Sequence, residues 1–397
     1  MVCSSDSFRS LPTPDPDAAV HSSRLVELMR TEIATSPGGC ISFERFMELA
    51  LYAPGLGYYS AGARKIGTAG DFVTAPEISP VFSRCVARQC RQVLTETGGS
   101  ILELGAGSGL MAAEVMLELE RLNALPECYR ILEVSADLRQ RQQVTLAEKI
   151  PHLQERVTWL EALPEPGLRG VVVANEVLDA LPVQRFRITG QGPRSLHVGW
   201  AQARFVWRES DEEQELTTVI EGLEQELGWT FPVGYESERN PRLEAWIAAL
   251  ARLLDRGMLL LIDYGYPRRE YYHPQRTTGT LICHYRHRAH ENPLILPGLQ
   301  DISASVDFTE VADAALKAGL EVAGYTSQAC FLFGCGIGDY VAGFDCNDHL
   351  RQLERARQVK LLTLPGEMGE RFKAIALARG LDSKPLGFTY LDERKRL

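Results

Sequence analysis

The stretch that most constrains the fold of this chain is residues 101–109, which read Ile-Leu-Glu-Leu-Gly-Ala-Gly-Ser-Gly. An apolar run ends here in three alternate glycines, and residues 110–122 then show the periodicity of an amphipathic helix. This order predicts a buried strand, a tight glycine turn and a helix N-terminus, a common way for an α/β sheet to hold a nucleotide-like cofactor. A purely structural turn is the alternative that the pattern leaves open.

The spacing of the glycines selects among cofactors. A dinucleotide fingerprint needs a third glycine at position 110, but that residue is Leu110 and the third glycine is Gly109. The lysine and the hydroxyl residue of a phosphate-binding loop are also absent. The G-x-G-x-G form is more typical of enzymes that use S-adenosylmethionine (SAM), so we predict that Gly105, Ala106, Gly107 and Gly109 bind SAM.

Composition narrows the class of protein. The 397 residues are 45% hydrophobic and 24% charged, which is typical of a soluble globular protein with one large α/β domain or two domains. The formal net charge of −10 argues against a nucleic-acid partner. No segment approaches the roughly 20 apolar residues that span a bilayer, and residues 1–21 lack the features of a secretory signal or a transit peptide. The nine cysteines form no C-x-x-C pair, which favours reduced thiols, so we expect a cytoplasmic protein without membrane insertion.

Strands and helices alternate through most of the chain, which implies a parallel sheet with right-handed crossovers. The predicted strands are residues 101–104, 130–134, 157–160, 170–174, 258–263, 320–325 and 372–378. After Pro182 three short segments, 185–188, 195–200 and 204–207, indicate antiparallel strands instead. The expected division of the chain is a disordered tail (1–21), an N-terminal helical extension with a loop (22–99), the α/β core (100–182 and 241–380), an inserted antiparallel and helical subdomain (183–240) and a C-terminal tail (381–397).

A loop is predicted for residues 267–305, because they show no periodicity. Loops of this length are more often functional than idle, and this one either forms a solvated surface or closes over an active site. It contains His284, His287 and His290. At spacings of three these side chains would fan apart around a helix, and no cysteine or carboxylate completes a set of ligands, so we predict no metal.

Two glutamates near the glycine turn are candidate ligands of the cofactor. Glu133 ends the second predicted strand, where a carboxylate can accept hydrogen bonds from both hydroxyls of a ribose. An exposed glutamate without a role is the alternative. Glu103 lies among apolar residues of the first strand, and a buried carboxylate is costly unless it is paired. It either orients the glycine turn or contacts a cofactor ammonium, or it forms a structural ion pair.

A polar segment follows the fourth strand, at the edge of the sheet where ligands of such folds bind. Asn175, Glu176 and Asp179 are therefore expected to face the reacting end of the cofactor. Methyl transfer needs an aligned nucleophile and a carboxylate that orients it or accepts its proton. We predict that these three residues are catalytic and that Asn175 also contacts the cofactor. The alternative is a helix cap, with Asn175 capping and Asp179 on the solvent side.

Several motifs occur together in one order, and they carry a resemblance to a known family. They are Gly-Asp-Phe-Val-Thr-Ala-Pro-Glu-Ile-Ser at 70–79, the glycine turn, Leu-Glu-Val-Ser at 132–135, Asn-Glu-Val-Leu-Asp-Ala-Leu-Pro at 175–182, Ile-Asp-Tyr-Gly at 262–265, Arg-Thr-Thr-Gly-Thr-Leu at 276–281 and Pro-Gly-Leu-Gln-Asp-Ile at 297–302. Over residues 25–380 the chain resembles the MidA family of class I SAM-dependent methyltransferases. Ser303 and Ser305 depart from the Thr and His expected in bacterial relatives.

The resemblance implies a class I methyltransferase (Rossmann-like) fold with seven strands, a helical N-terminal extension and an insertion between the fourth and fifth strands. It implies that Gly70, Asp71 and Thr74 border the cofactor pocket, so that the loop before residue 80 covers the cofactor. Mitochondrial members methylate arginine in a subunit of respiratory complex I. For such an acceptor, Glu176 and Asp179 would orient the guanidinium, since it is a cation and a poor nucleophile.

Two other functions remain open from the sequence. One is methylation of a nitrogen or oxygen of a small molecule, because a carboxylate near the cofactor favours a cationic acceptor without requiring a protein. The other is an assembly factor that binds SAM and docks a partner without turnover. The sequence indicates neither the acceptor nor the oligomeric state.

Overall fold

The computed structural model describes residues 11–60, 73–211, 213–342 and 349–397. The strands in these ranges are β1 (Cys40–Ser42), β2 (Ser100–Leu104), β3 (Tyr129–Leu132), β4 (Val157–Leu160), β5 (Leu168–Asn175), β6 (Gln184–Thr189), β7 (Gly192–Ala201), β8 (Arg204–Glu209), β9 (Glu236–Arg239), β10 (Leu254–Tyr266), β11 (Ile282–Tyr285), β12 (Arg288–His290), β13 (Asp301–Ser303), β14 (Val306–Asp307), β15 (Glu321–Ser327) and β16 (Phe372–Arg379).

The helices are α1 (Pro16–Thr35), α2 (Phe43–Tyr52), α3 (Ala75–Ile78), α4 (Pro80–Thr97), α5 (Leu110–Arg121), α6 (Ala136–Lys149), α7 (Gln214–Leu227), α8 (Leu243–Leu253), α9 (Arg268–Tyr271), α10 (Phe308–Lys317), α11 (Gln328–Gly334), α12 (Ile337–Ala342), α13 (His349–Thr363) and α14 (Met368–Arg371). Within the described ranges, no helix is both long enough and apolar enough to cross a membrane.

The chain forms two compact units. The first comprises Met1–Phe72, Asp179–Arg242 and Arg269–Ser305, and the second comprises Val73–Leu178, Leu243–Arg268 and Val306–Leu397. Helix α4 therefore belongs with the α/β sheet rather than with the N-terminal extension in which the sequence placed it. Residues 269–305, which were assigned to the α/β core, belong with the first unit.

The second unit contains a sheet with the strand order β4-β3-β2-β5-β10-β16-β15. Strands β2, β3, β4, β5 and β10 run parallel, and β16 pairs antiparallel with both β10 and β15. The predicted class I α/β fold is confirmed, and the first and fourth predicted strands lie side by side as β2 and β5. Strand β14, which the sequence did not indicate, adds a short parallel pairing at the end of β10.

Burial explains why the central strands read as nearly continuous apolar runs. Parallel strands covered by helices on both faces have no solvent side, and Val171, Val172 and Val173 of β5 are all at most 1% exposed. Gly170 lies at the start of the apolar part of β5, with φ near 118°. A Cβ there would come within 2.1 Å of the carbonyl oxygen of Ser100, so only glycine allows β2 to approach this closely.

Local capping chemistry explains where several helices begin. Ser42 accepts a hydrogen bond from the N–H of Arg45 at the start of α2. Ser135 accepts a hydrogen bond from the N–H of Leu138 at the start of α6. Asp307 accepts from two N–H groups at the start of α10, at 3.0 and 3.2 Å. Each cap satisfies donors that the first helical turn leaves without partners.

The first unit is built on an antiparallel sheet with the order β1-β7-β6-β9, and β8 pairs with β7. Strands β6 to β9 are the predicted insertion between the fourth and fifth strands of the α/β sheet. Helices α1 and α2 contribute Met29, Phe43 and Phe46 to a core that also contains Val198 and Phe205. The rings of Phe46 and Phe205 pack in a T-shaped, edge-to-face pair, with their centroids 5.2 Å apart.

The prediction of a long loop over residues 267–305 is wrong. Strands β11, β12 and β13 form an antiparallel three-stranded sheet in this stretch. Each of these strands has only three or four residues, too few for an alternating pattern to stand out in the sequence. His284 and His290 lie on β11 and β12, and His287 lies in the turn between them with φ of 59°, so the three histidines are on a hairpin and not on a helix.

Both ends of the chain are more ordered than expected. Helix α1 begins at Pro16, inside the stretch predicted to be a disordered tail, because Asp15 caps it by accepting from the N–H of Ala18. In the C-terminal stretch, Phe388 is fully buried and its ring lies 5.7 Å from that of Phe331. Phe388 thus helps to anchor a segment whose composition suggests a tail, and the N–H of the adjacent Gly387 also donates to the buried side chain of Gln89.

Candidate functional site

The glycine turn after β2 has the backbone conformation that its sequence predicts. Gly105, Gly107 and Gly109 have φ of 63°, 53° and 83°, in the left-handed region that only glycine adopts without cost. Gly109 is the residue before α5. A Cβ on Gly109 would lie 3.1 Å from the Cα of Gln142 in α6. Glycine is therefore required there by its backbone conformation and by close packing.

Glu133 directly follows β3 and is 6% exposed. One carboxylate oxygen accepts from the N–H of Ser135 and the other from the side-chain amide of Gln142, each at 2.9 Å. Burial raises the pKa of Glu133, while these two hydrogen bonds act in the opposite direction. A carboxylate has about four acceptor sites, so Glu133 can accept further hydrogen bonds from a ligand.

Gln142 is a residue that the sequence analysis missed. Its side chain is fully buried, and it contacts Gly107 and Trp159 as well as Glu133. The polar pattern of α6 predicted only a surface helix. Nothing in the local sequence distinguishes Gln142 from its exposed neighbour Gln143.

Glu103 is 1% exposed on β2 and pairs with a phenol rather than with a cation. The hydroxyl of Tyr129 on β3 donates to its carboxylate at 2.7 Å. Burial raises the pKa of Glu103 from 4.5 to about 7, against the effect of that hydrogen bond. The structural ion pair considered above is not found among the described residues.

Asn175 and Glu176 lie at the end of β5. Glu176 has φ of 55°, which is uncommon for a residue with a side chain. Its carboxylate accepts from the N–H of Ala75 at 3.3 Å and from the amide of Asn175 at 3.1 Å. The oxygen of the Asn175 amide is buried and has no hydrogen-bond partner within the described ranges. Thr74, at the N-cap position of α3, is next to Ala75 and thus close to Glu176.

Asp263 supports this turn and was also missed. It is fully buried near the end of β10. One of its oxygens accepts from the N–H groups of Val177 and Leu178, at 3.1 and 2.9 Å. The N–H of Glu176 donates to the carbonyl of Ile262. A carboxylate directly after the apolar run at 258–262 is the signal that could have pointed to Asp263.

Helix α3 contacts the glycine turn through another residue that the sequence analysis did not single out. The hydroxyl of Ser108 donates to the carboxylate of Glu77. Together with the contact between Ala75 and Glu176, this pair links α3 to the ends of both β2 and β5.

Not every predicted site residue lies in this arrangement. Gly70 and Asp71 are outside the described residues. Asp179 belongs to the first unit, where it is 7% exposed and its carbonyl accepts from the N–H of Ala304 at 3.0 Å. Among the residues that the structure describes, no group of three His, Cys, Asp or Glu side chains is placed to hold a metal ion.

A parallel sheet in this order, with a glycine turn after β2 and carboxylates after β3 and β5, defines a class I methyltransferase. Residues 85–326 match a family described as "Putative S-adenosyl-L-methionine-dependent methyltransferase". The chain belongs to this family, and the resemblance, the enzyme class and the cofactor SAM predicted from the sequence are confirmed.

Named relatives and solved structures agree with this assignment. The chain is 28% identical to a fruit-fly protein, "Protein arginine methyltransferase NDUFAF7 homolog, mitochondrial", over 95% of this chain and 92% of that protein. It is 27% identical to the human protein arginine methyltransferase NDUFAF7, over 85% and 80%. A crystal structure of a likely methyl transferase from Burkholderia thailandensis, bound to S-adenosyl-homocysteine, superimposes on this chain with a TM-score of 0.93. The two sequences are 42% identical, and the alignment covers 98% of this chain and all of that one.

The expectation of a cytoplasmic location is contradicted by these comparisons. The relatives from fruit fly, zebrafish and human are all named mitochondrial proteins. The expectation rested on residues 1–21, which lack the features of a transit peptide, and on reduced cysteines, which are also typical of reducing compartments other than the cytoplasm.

Replacing Gly109 by alanine tests whether both the left-handed backbone and the close packing require glycine at this position. A Cβ in the left-handed region costs about 1–2 kcal/mol, and at this position it must also fit against Gln142. Gly319→Ala is the matched control, because φ there is 74° and the nearest atom to its Cβ is the end of an arginine at 3.9 Å. We expect urea titrations to show a larger loss of unfolding free energy for Gly109→Ala. Equal losses would contradict the packing argument.

The raised pKa of Glu103 predicts a pH-dependent effect of Glu103→Gln. The folded state binds a proton at Glu103 more tightly than the unfolded state, so this group stabilises the fold below pH 4.5 and loses its contribution as pH rises to about 7. Glutamine remains neutral at every pH. We expect the melting temperature of the variant, relative to the unsubstituted protein, to be higher at pH 8 than at pH 5.

Glu148→Gln is the control for that measurement, since Glu148 is exposed on α6. Its effect on the melting temperature is expected to be small at both pH values. A Glu103→Gln effect that is the same at pH 5 and pH 8 would show that Glu103 does not change its protonation on folding in this range.

Proposed function

We propose that this protein transfers a methyl group from SAM to an arginine side chain of a protein substrate. The observation that carries the proposal is the match, over 84–95% of the chain, to relatives named protein arginine methyltransferases. The carboxylate of Glu176 at the end of β5 supports it, because a guanidinium acceptor needs an anionic partner. A subunit of a respiratory complex is the substrate that the family resemblance suggests.

The residues around the glycine turn fit SAM. The three glycines of the turn present backbone without a side chain, and Glu133 retains acceptor sites for two ribose hydroxyls. The buried amide oxygen of Asn175, which has no partner among the described residues, can accept from a donor on the ligand. When bound, SAM supplies a methyl carbon on a positively charged sulfur. We assign Glu103 to orienting the glycine turn, because it lies on β2, the strand that leads into this turn.

The proposal extends to Gly70, Asp71 and Thr74 as residues that border the cofactor. Support comes from Thr74, which lies at the N-cap position of α3, and from Glu77 of the same helix, which contacts Ser108 of the glycine turn. Gly70 and Asp71 precede this helix in the same motif.

Glu176 has the features of a group that orients a cationic acceptor. It is partly exposed, and the N–H of Ala75 and the amide of Asn175 hold its carboxylate in one place. A carboxylate held in this way can fix a guanidinium through two hydrogen bonds and take up the proton that methylation releases. We assign Asn175 as the residue that orients Glu176, and the catalytic role of Asp179 stays a prediction from the sequence motif.

Two other functions would leave different signatures. A methyltransferase for small molecules would modify free guanidino or amino compounds as well as it modifies peptides. An assembly factor without turnover would bind SAM and retain its role in cells when Glu176 is replaced.

The substitution Glu176→Gln tests the proposal. We expect calorimetric affinity for SAM to change by less than about threefold, since the residue is assigned to the acceptor. Transfer of radiolabelled methyl to arginine-containing peptides is expected to fall by at least about 100-fold, the contribution of a positioned acid or base. Glu148→Gln controls for a general loss of negative charge. Methylation of lysine in place of arginine, or unchanged activity of the variant, would contradict the assignment.

A further inference from the structure

The side chain of Gln142 connects the ends of three neighbouring strands. Its amide nitrogen donates to the carboxylate of Glu133 at 2.9 Å and to the carbonyl of Gly107 at 3.1 Å. Its amide oxygen accepts from the indole N–H of Trp159 at 3.0 Å. Gly107 follows β2, Glu133 follows β3 and Trp159 lies on β4, so one buried amide contacts each of these three places.

The partners determine the orientation of this amide. The indole N–H of Trp159 can only donate, so the amide oxygen must face it. The carbonyl of Gly107 can only accept, and the carboxylate of Glu133 accepts when ionised, so both hydrogens of the amide nitrogen are used. An inverted amide would oppose a donor to a donor and an acceptor to two acceptors, and it is therefore excluded.

Packing alone does not account for a glutamine at this position. Gln142 and Leu146 are the buried residues of α6 among those described, and an apolar side chain of similar length would fill the same space. Burying an amide is unfavourable unless its hydrogen bonds are made. Here they are made to one residue assigned to the cofactor ribose and to one in the glycine turn.

We propose that Gln142 is a positioning residue that aims the carboxylate of Glu133 at the ribose of SAM and fixes the carbonyl of Gly107 beside it. This inference rests on the proposed role of Glu133 in binding the ribose. Gln142 itself does not touch the ligand. It determines how strongly the protein distinguishes a ribose from a sugar that lacks a hydroxyl.

Gln142→Met tests this role, because methionine keeps the length and volume but makes none of the three hydrogen bonds. The probes are S-adenosyl-homocysteine and its 2′-deoxy analogue, titrated by calorimetry. The unsubstituted protein is expected to prefer the ribose form by about 10-fold or more, as a hydrogen bond to a charged group is worth about 1.5–3 kcal/mol. In Gln142→Met this preference is expected to fall below about threefold, with affinity for the deoxy analogue little changed.

Gln143→Met is the matched control, since Gln143 is the next residue of the same helix and is exposed. It is expected to retain the full preference for ribose. Glu133→Gln is expected to lose the preference and thus marks the result of removing the carboxylate itself. If Gln142 had only a structural role, Gln142→Met would lower the affinities for the two ligands by the same factor. The ratio of the affinities would then equal that of the unsubstituted protein, and this result would overturn the proposal.

Trp159→Phe provides a second variant if Gln142→Met does not fold. It removes the donor that orients the amide and makes the side chain smaller, and we expect an intermediate preference for ribose. If the unsubstituted protein binds S-adenosyl-homocysteine but does not distinguish the sugars, the ribose role of Glu133 fails and the inference with it. If it binds neither probe, the cofactor assignment of the proposed function fails. If the unsubstituted protein prefers the ribose ligand, and Gln142→Met and Trp159→Phe keep the same preference, only the inference about Gln142 is wrong.

Discussion

The parallel pairing of β2, β5 and β10 determines where the glycine turn, Glu176 and Asp263 of the second unit lie. In this pairing Leu104 lies opposite Ala174, and Asn175 lies opposite Ile262. Strands β2 and β5 end side by side, and Asp263 is the residue of β10 just after its last pair with β5, so the glycine turn, Glu176 and Asp263 lie at one edge of the sheet. A shift of one residue would exchange buried and exposed faces along a strand. The close approach at Gly170 leaves no room for such a shift, because any larger residue would collide with the backbone of β2.

The three glutamates of this edge show how position along a strand determines chemistry. Glu103 lies within β2 and accepts a hydrogen bond from a phenol, and burial raises its pKa to about 7. Glu133 lies one residue beyond β3 and accepts hydrogen bonds on both oxygens, which offset part of the rise in pKa that burial causes. Glu176 lies one residue beyond β5 and is partly exposed. Moving outward from the sheet, a carboxylate changes from a buried acid to a buried acceptor of two hydrogen bonds and then to a partly exposed group.

The sequence predicted those parts of the structure that depend on neighbouring residues. Ser135 and Asp307 cap their helices through bonds to residues two or three positions away, so the signal is local. Glu133 and Glu176 were found because each follows a recognisable apolar strand. Gln142 could not be found in this way, since its partners come from three segments that are distant in the sequence. Strands β11 to β13 were missed because each is shorter than the pattern that identifies a strand.

The left-handed backbone of Glu176 has a consequence for how this protein would change under selection. Glycine or asparagine adopts that conformation at less cost than glutamate, so a population selected for heat resistance alone would drift toward them at this position. Keeping glutamate means that the protein is less stable than its own fold allows. Under the role proposed for Glu176, this loss of stability is the cost of placing an acidic group beside the turn.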